Sequence, residues 1–351
     1  MAETESRSAS ASPASATTTE ATTTMHAVVQ SVYGGPEVLE LAEVDRPIPG
    51  DDEVLVRVVA ASVGAGDWHL MRGTPFLIRL IYGGYRRPKF PTPGVDIAGR
   101  IEAVGADVTT FQPGDEVIAD LSEHGFGGFA EYVRVPATAL VSKPAKVSFE
   151  AAAASPTSAV AALQALRDAG RLQAGEHVLV NGASGGVGTF AVQIAKHLGA
   201  EVTGVCSTAK MELVRSIGAD HVIDYTETDV TSAGTQYDLI LDTAGSHSMR
   251  AYRHALTPTG RYVMVGGPTG RFLTALVLGP LLSMTGEQEL GGFSLEVNSD
   301  DLASVAGLLE SGDVTPVIDR RYELREVPEA ISYLEDGRAT GKVVITSEGP
   351  P

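Results

Sequence analysis

The sequence predicts an α/β protein in two parts, a barrel-like β domain and a doubly wound domain with a parallel sheet. Three observations carry that expectation. Up to about residue 148, short apolar or alternating segments are separated by Gly/Pro turns, with few helical patterns. Beyond that point strand-like and helix-like segments alternate through short connections, as in a parallel sheet covered by helices on both faces. Early in this second region an apolar run, 177–180, leads into Asn181-Gly182-Ala183-Ser184-Gly185-Gly186-Val187-Gly188. An amphipathic run, 189–198, follows, so the order reads strand, glycine turn, helix.

Residues 1–24 are almost entirely Ala, Ser, Thr and Glu, and their composition reads as a disordered tail. They lack the apolar core of a signal peptide, and their acidity argues against a transit peptide. Segments 26–30 and 39–44 form a hairpin around Gly34-Gly35-Pro36. Segment 53–60 alternates like a strand with one buried face. Segments 95–105, 116–119 and 127–135 add further strands, the second entered through the turn Gln112-Pro113-Gly114-Asp115. Ser148 caps a helix at Ala151 and an alanine-rich run continues it. Strands at 177–181, 201–205, 220–223, 238–242 and 261–266 alternate with helices at about 186–198, 208–217 and 246–255. Helices at 300–310 and 327–334 and a strand at 341–346 close the chain. The apolar stretch 272–284 is broken by Gly279-Pro280 and is too short to span a bilayer. Its expected role is to cap a cleft or to join a dimer interface.

Of the 351 residues 43% are apolar, enough for a substantial core. The 26 Lys and Arg against 44 Asp and Glu give a net charge of −18, which repels nucleic acid and anionic membranes. One cysteine, Cys206, can build neither a disulfide framework nor a thiolate-rich metal site, and suits a cytoplasmic enzyme.

The glycine turn is the first candidate site. Gly182, Ser184, Gly185, Gly186, Val187 and Gly188 let backbone N–H groups at a helix start approach a diphosphate. The next strand ends without the Asp or Glu that would hold the ribose of NAD. It is followed instead by the Ser207 hydroxyl and the Lys210 ammonium, which can bind a 2′-phosphate and favour NADP(H). Ser207 equally suits capping the following helix. Gly266 and Gly267, at another strand end, let backbone approach the cofactor or simply make an exit turn.

Several motifs in one order resemble the medium-chain dehydrogenase/reductase superfamily, in its zinc-independent, quinone-oxidoreductase-like branch. They are Tyr33-Gly34-Gly35-Pro36-Glu37-Val38-Leu39, Asp67-Trp68-His69-Leu70-Met71-Arg72-Gly73 and Pro93-Gly94-Val95-Asp96-Ile97-Ala98-Gly99. Pro113-Gly114-Asp115-Glu116-Val117, Gly128-Phe129-Ala130-Glu131-Tyr132-Val133, the glycine turn and Gly341-Lys342-Val343-Val344-Ile345 complete the set, spanning 25–346. The resemblance implies a GroES-like β-barrel domain from 25–148, completed by 293–351, and a Rossmann domain from 149–292, with the active site between them. It implies NADPH delivering hydride to a quinone or to the β-carbon of an enone, and it adds Tyr225 and Arg338 to the 2′-phosphate pocket.

Zinc-dependent members need Cys and His ligands from the β domain. Asp67-Trp68-His69 and Gly94-Val95-Asp96 stand in those places, and no metal is expected. His69 is the candidate acid, because imidazole titrates near neutrality. Asp67 would orient a neighbour or the substrate, and Tyr82 and Tyr85 would line substrate space. Two positions depart from the family pattern: Gly64 replaces an Asn and Ala161 a Thr. Carbonyl or alcohol oxidoreduction therefore stays open as an alternative. So does a non-redox role on this scaffold, as a lyase- or cyclase-like enzyme or a cofactor-binding accessory protein. The expected partner is a small-molecule substrate, with no nucleic acid or membrane, and the expected state a monomer or homodimer.

Overall fold

The computed structural model describes residues 23–81, 84–232, 234–284 and 286–347; the tail expected at 1–24 lies outside them up to residue 22, and its last residue, Thr24, opens the first strand instead. The opening hairpin pairs β1 (Thr24–Gln30) antiparallel with β2 (Leu39–Asp45). A larger sheet follows from β3 (Glu53–Val63), β4 (Asp96–Val104), β5 (Glu116–Asp120), β6 (Tyr132–Pro136) and β7 (Leu140–Ser142). On β3 Val54, Val56 and Val58 are buried and Arg57 is exposed, as the alternation predicts, but Leu55 on the opposite face is buried as well, so the expected single buried face holds only in part. Two short helices between β3 and β4, α1 (Ala65–Arg72) and α2 (Leu77–Ile81), were not among the expected elements.

The alanine-rich run is not one helix. Ser148 Oγ accepts the N–H of Ala151 at 3.2 Å and starts α3 (Phe149–Ala153), as the sequence suggests. Pro156 then opens a separate helix, α4 (Pro156–Gln164). Proline lacks the N–H that would continue α3, yet its fixed φ suits a first helical position.

The second sheet is parallel. It comprises β8 (His177–Asn181), β9 (Glu201–Cys206), β10 (His221–Asp224), β11 (Tyr237–Asp242), β12 (Leu256–Met264) and β13 (Glu289–Gly292). The spatial order is β10-β9-β8-β11-β12-β13. Its helices are α5 (Gly186–His197), α6 (Met211–Ser216), α7 (Met249–Arg253) and α8 (Thr269–Ser283). The helix expected at 208–217 divides into a 3₁₀ turn, Thr208–Lys210, and α6. β12 starts at Leu256, earlier than read, because its pairing with β11 shifts register across Pro258 and Gly260. β13 went unread: two of its four residues are glycine, so it carries no strand propensity.

After α9 (Ser299–Ser311) the chain returns to the first sheet. β14 (Ile318–Glu323) and β15 (Lys342–Thr346) flank α10 (Val327–Glu335), and the order becomes β14-β15-β3-β4-β5-β7 with β6 also on β3. The two sheets share one buried cluster: Ala60, Ala98 and Val344 of the first pack with Val160, Val178, Ala191 and Leu241 around the second. This common core fixes the cleft between them. Among the described residues no helix is long and apolar enough to cross a membrane.

The apolar stretch 272–284 lies within α8 and the residue after it. α8 rests on β13, where a Cβ on Gly279 would come within 2.4 Å of the Leu290 carbonyl oxygen. It leaves Leu273, Val277, Leu281 and Met284 exposed, and none of its residues lines the cleft described next.

Candidate active site

A cleft of about 360 Å³ opens where the two sheets meet. Its walls include Gly64, Asp67 and His69 from the start of α1, Asp96 from β4, Asp120 from β5, Thr157 and Ser158 from α4, Val187 from α5 and Lys342 from β15.

The glycine turn forms one end. Gly182 has φ +82°, and a Cβ on Gly188 would sit 2.1 Å from the Gly182 carbonyl oxygen, so the turn closes only with glycine at both places. Gly185 precedes α5 in extended conformation, and the N–H groups of Gly186, Val187 and Gly188 have no acceptor within the helix. Those are the donors a diphosphate needs. Ser184 is buried, and its carbonyl accepts the N–H of Gly341 at 2.9 Å. This bond ties the turn to β15, whose first residue, Lys342, reaches the cleft.

The expected 2′-phosphate groups gather at one edge. Ser207 follows β9 and its hydroxyl makes no cap bond, so the capping alternative is not realised by the side chain. The Lys210 ammonium donates to the carbonyls of Ala339 at 2.9 Å and Arg338 at 3.4 Å, drawing that loop towards β9. Tyr225 is exposed and donates its N–H to the Cys206 carbonyl at 3.1 Å. The Arg338 guanidinium pairs with Asp336 at 2.5 Å and lies 5.1 Å from the Tyr333 ring centre. Asp224, which the sequence reading passed over, lies beside this group. Hydroxyls of Thr208 and Thr226 hold its carboxyl below the usual range. Gly266 and Gly267 serve close packing between strand-end loops: a Cβ on Gly267, at φ +116°, would lie 2.9 Å from Gly245.

At the α1 side of the cleft, the His69 ring stacks on Trp68 at 3.6 Å, and its Nδ1 is 2.8 Å from the Thr74 carbonyl. A carbonyl only accepts, so Nδ1 carries the hydrogen and Nε2 holds a lone pair. Partial burial lowers the pKa of the ring, so Nε2 gains a proton only on the acid side. Asp67 is 2% exposed. Its Oδ2 accepts the Gly64 N–H at 2.7 Å and closes the start of α1, while Oδ1 is buried without a partner. Burial pushes this carboxyl up to about 7. A side chain on Gly64 would have room, its Cβ 3.7 Å from Asp67 Oδ2. Ala161 is buried in the shared core and does not line the cleft. Tyr85 is exposed, packs edge-on against Phe76 and also lies off the cleft, while Tyr82 lies outside the described residues.

The sequence reading missed the groups that join Asp96. Lys342 Nζ lies 3.2 Å from Asp96 Oδ2 and 3.0 Å from Ser158 Oγ, fully buried. Ser62 Oγ donates to Asp96 Oδ2 at 2.9 Å, and Thr157 reaches both Asp96 and Asp120. Two of these residues, Asp96 and Lys342, stand inside recognised motifs, but nothing local announces that they meet. The donor set does not fit zinc. Asp96 is neutralised by Lys342, His69 Nδ1 is engaged with a backbone carbonyl, and Cys206 is buried on the other sheet. Among the described residues no three His, Cys, Asp or Glu side chains are grouped to hold a metal.

A Rossmann-type glycine turn joined to a β domain across an acid-lined cleft defines a two-domain, dinucleotide-using class of protein. Residues 50–145 match the family described as alcohol dehydrogenase GroES-like domain, and residues 217–345 the one described as zinc-binding dehydrogenase. The chloroplast envelope quinone oxidoreductase homolog of Arabidopsis thaliana is 33% identical, over 92% of this chain and 98% of that protein. The NADPH-dependent alkenal/one oxidoreductase of the same plant is 34% identical, over 92% of this chain and 79% of that protein. The quinone oxidoreductase structure from Coxiella burnetii superposes with a TM-score of 0.83 at 27% identity, covering 93% of this chain and all of that one. The chain belongs to the medium-chain dehydrogenase/reductase superfamily, among its quinone oxidoreductases. Its fold is that family's GroES-like domain with a Rossmann domain, and its cofactor is a nicotinamide dinucleotide.

Proposed function

We propose that the protein is an NADPH-dependent, metal-independent reductase of quinones or α,β-unsaturated carbonyls. The carrying observation is the Ser184–Gly341 bond, which holds the glycine turn and the Lys342 end of the cleft as one unit. The names of the relatives support the substrate class. The dinucleotide, when bound, supplies hydride. The chain's own residues do the rest. N–H groups of Gly186, Val187 and Gly188, with Gly182, Ser184 and Gly185 shaping the turn, hold the diphosphate. Ser207, Lys210, Tyr225 and Arg338 hold the 2′-phosphate and select NADP(H) over NAD(H). Gly266 and Gly267 let backbone come close at the ribose end. Asp67 carries a proton at its unpartnered Oδ1 near neutral pH, and His69 presents Nε2 as an acceptor or, on the acid side, a donor.

Following NADPH oxidation over quinones, enones and ketones tests this. Consumption with quinones or enones is expected, and consumption with ketones alone favours carbonyl oxidoreduction. Tight NADPH binding without oxidation by any acceptor would overturn the proposal in favour of a non-redox role, the reading that Gly64 motivates. A cytoplasmic setting fits a single, buried, free thiol. The substrate is a small molecule and the state a monomer or homodimer. A second copy would meet the exposed apolar face of α8, and light scattering of a Val277→Lys variant reads it.

A further inference from the structure

One hydroxyl in the cleft wall serves two carboxylates. Antiparallel pairing of β4 with β5 sets Asp96 directly opposite Asp120, and both side chains are buried. Thr157 Oγ1 lies 2.5 Å from Asp96 Oδ1 and 2.6 Å from Asp120 Oδ2. A hydroxyl has one hydrogen to give and lone pairs to receive with. It can satisfy one carboxylate as donor, and the other must then donate to it. Two ionised carboxylates would leave one short contact as bare oxygen against oxygen, and like charges directly opposite on a sheet are destabilising.

The remaining bonds say which carboxyl holds the hydrogen. Asp96 accepts from the Lys342 ammonium, the Ser62 hydroxyl and the Thr157 N–H, so it is the anion. Asp120 Oδ1 accepts from the Ser122 N–H at 2.8 Å and the Ser122 hydroxyl at 2.5 Å, which leaves Oδ2 as the protonated oxygen. With O–H at Asp120 Oδ2 donating to Thr157, and Thr157 donating to Asp96, each of the three side chains in this relay is satisfied. We propose that Asp120 is a neutral acid at physiological pH, holding at Oδ2 a reserve proton for the cleft. The charged and titratable groups around it are Asp96 on β4, Lys342 on β15, Asp67 at α1 and Glu123 in the turn after β5. Burial, and then the Asp96 charge, raise the Asp120 carboxyl above the ordinary range.

The use of this proton rests on the reductase reading. Once hydride has reached a substrate carbon, the negative oxygen that results needs one proton. The Oδ2–H bond of Asp120 breaks as an O–H bond forms on the substrate, and the carboxylate regains a proton from solvent water. Asp120 thereby remains an acid on the alkaline side of neutrality, where Asp67 has ionised.

Infrared spectroscopy of the full chain in H₂O and D₂O tests the location without any turnover. On the alkaline side of neutrality the parent should show a protonated carboxyl C=O band that shifts in D₂O. Asp67→Asn should retain it and Asp120→Asn should lose it. Thr157→Val should move it to higher frequency, because the acid loses its acceptor. Absence of that band in the parent, or its survival in Asp120→Asn, overturns the proposal. Turnover supplies the second readout. Asp120→Asn should lower kcat on the alkaline side by about a hundredfold, with KM little changed, and an unchanged kcat would remove the reserve role. A parent that shows the band yet consumes no NADPH would refute the reductase reading while leaving the neutral acid in place.

Discussion

Replacing Asp67 by Asn separates the burial of a charge from the shape of the site. The Asn carbonyl can accept the Gly64 N–H in place of Oδ2, so the start of α1 keeps its closure. What disappears is a carboxyl that titrates near 3.8 when exposed and at about 7 in the fold. Each tenfold change in proton affinity is worth about 1.4 kcal/mol, so that displacement amounts to about 4 kcal/mol. The sign follows from proton counting. Below 3.8 the group is protonated both folded and unfolded, and it costs nothing. As pH rises from 3.8 to about 7 the unfolded chain releases this proton and the folded chain keeps it, so stability falls. Above about 7 the loss is complete. The variant escapes that loss, and Asp96, Asp120 and Lys342, present in both proteins, enter the gap only through their coupling to Asp67. Urea unfolding at matched pH values should show the gap between Asp67→Asn and parent moving in the variant's favour by about 4 kcal/mol from acid to mildly alkaline pH. Parallel curves would refute the reasoning, since a carboxyl that ionises normally in the fold leaves no pH-dependent gap.

Three further perturbations address the rest of the site. Lys210→Glu should weaken NADPH more than NADH by about 1.5–3 kcal/mol, the worth of a hydrogen bond to a charged group. Calorimetry reads the difference, and equal losses for both cofactors would dismiss the 2′-phosphate assignment. Gly188→Ala forces a Cβ to within 2.1 Å of the Gly182 carbonyl oxygen, which backbone must relieve. A stability loss of about 1–3 kcal/mol together with failure to bind either dinucleotide is expected, and retained binding would mean the turn is not the cradle. Lys342→Met leaves the Asp96 carboxylate buried without its cation. A denaturant midpoint lowered by the equivalent of about 3–5 kcal/mol should follow, and an unmoved midpoint would show that the pair is not holding the cleft wall.

Contiguous residues encode periodicity and turn chemistry, and those parts of the molecule were legible in the sequence. The strand, glycine turn and helix at 177–198 could be read because a sharp approach to Gly182 admits only glycine at Gly188. The Ser148 cap, the opening hairpin and the alternation of β3 have the same local origin. The break at Pro156 was equally local, a signal present in the sequence and outweighed by the alanines around it. β13 and α1 gave little signal, because a glycine-rich strand and a short helix carrying charge on most turns take their structure from what they pack against.

The sequence alone laid down a strand, glycine turn and helix within a two-part α/β fold, since that information lies in neighbouring residues and in motifs of fixed order. The chemistry of the cleft comes instead from contacts between distant segments. Strand register aligns Ser62 with both Asp96 and Val344, and Asp96 with Asp120, which brings Lys342 and Thr157 onto the same carboxylate. Side chains remote in sequence come to share one hydroxyl and to form a buried charge pair only when pairing across strands places them within hydrogen-bond reach and excludes water, and no local pattern reports either condition.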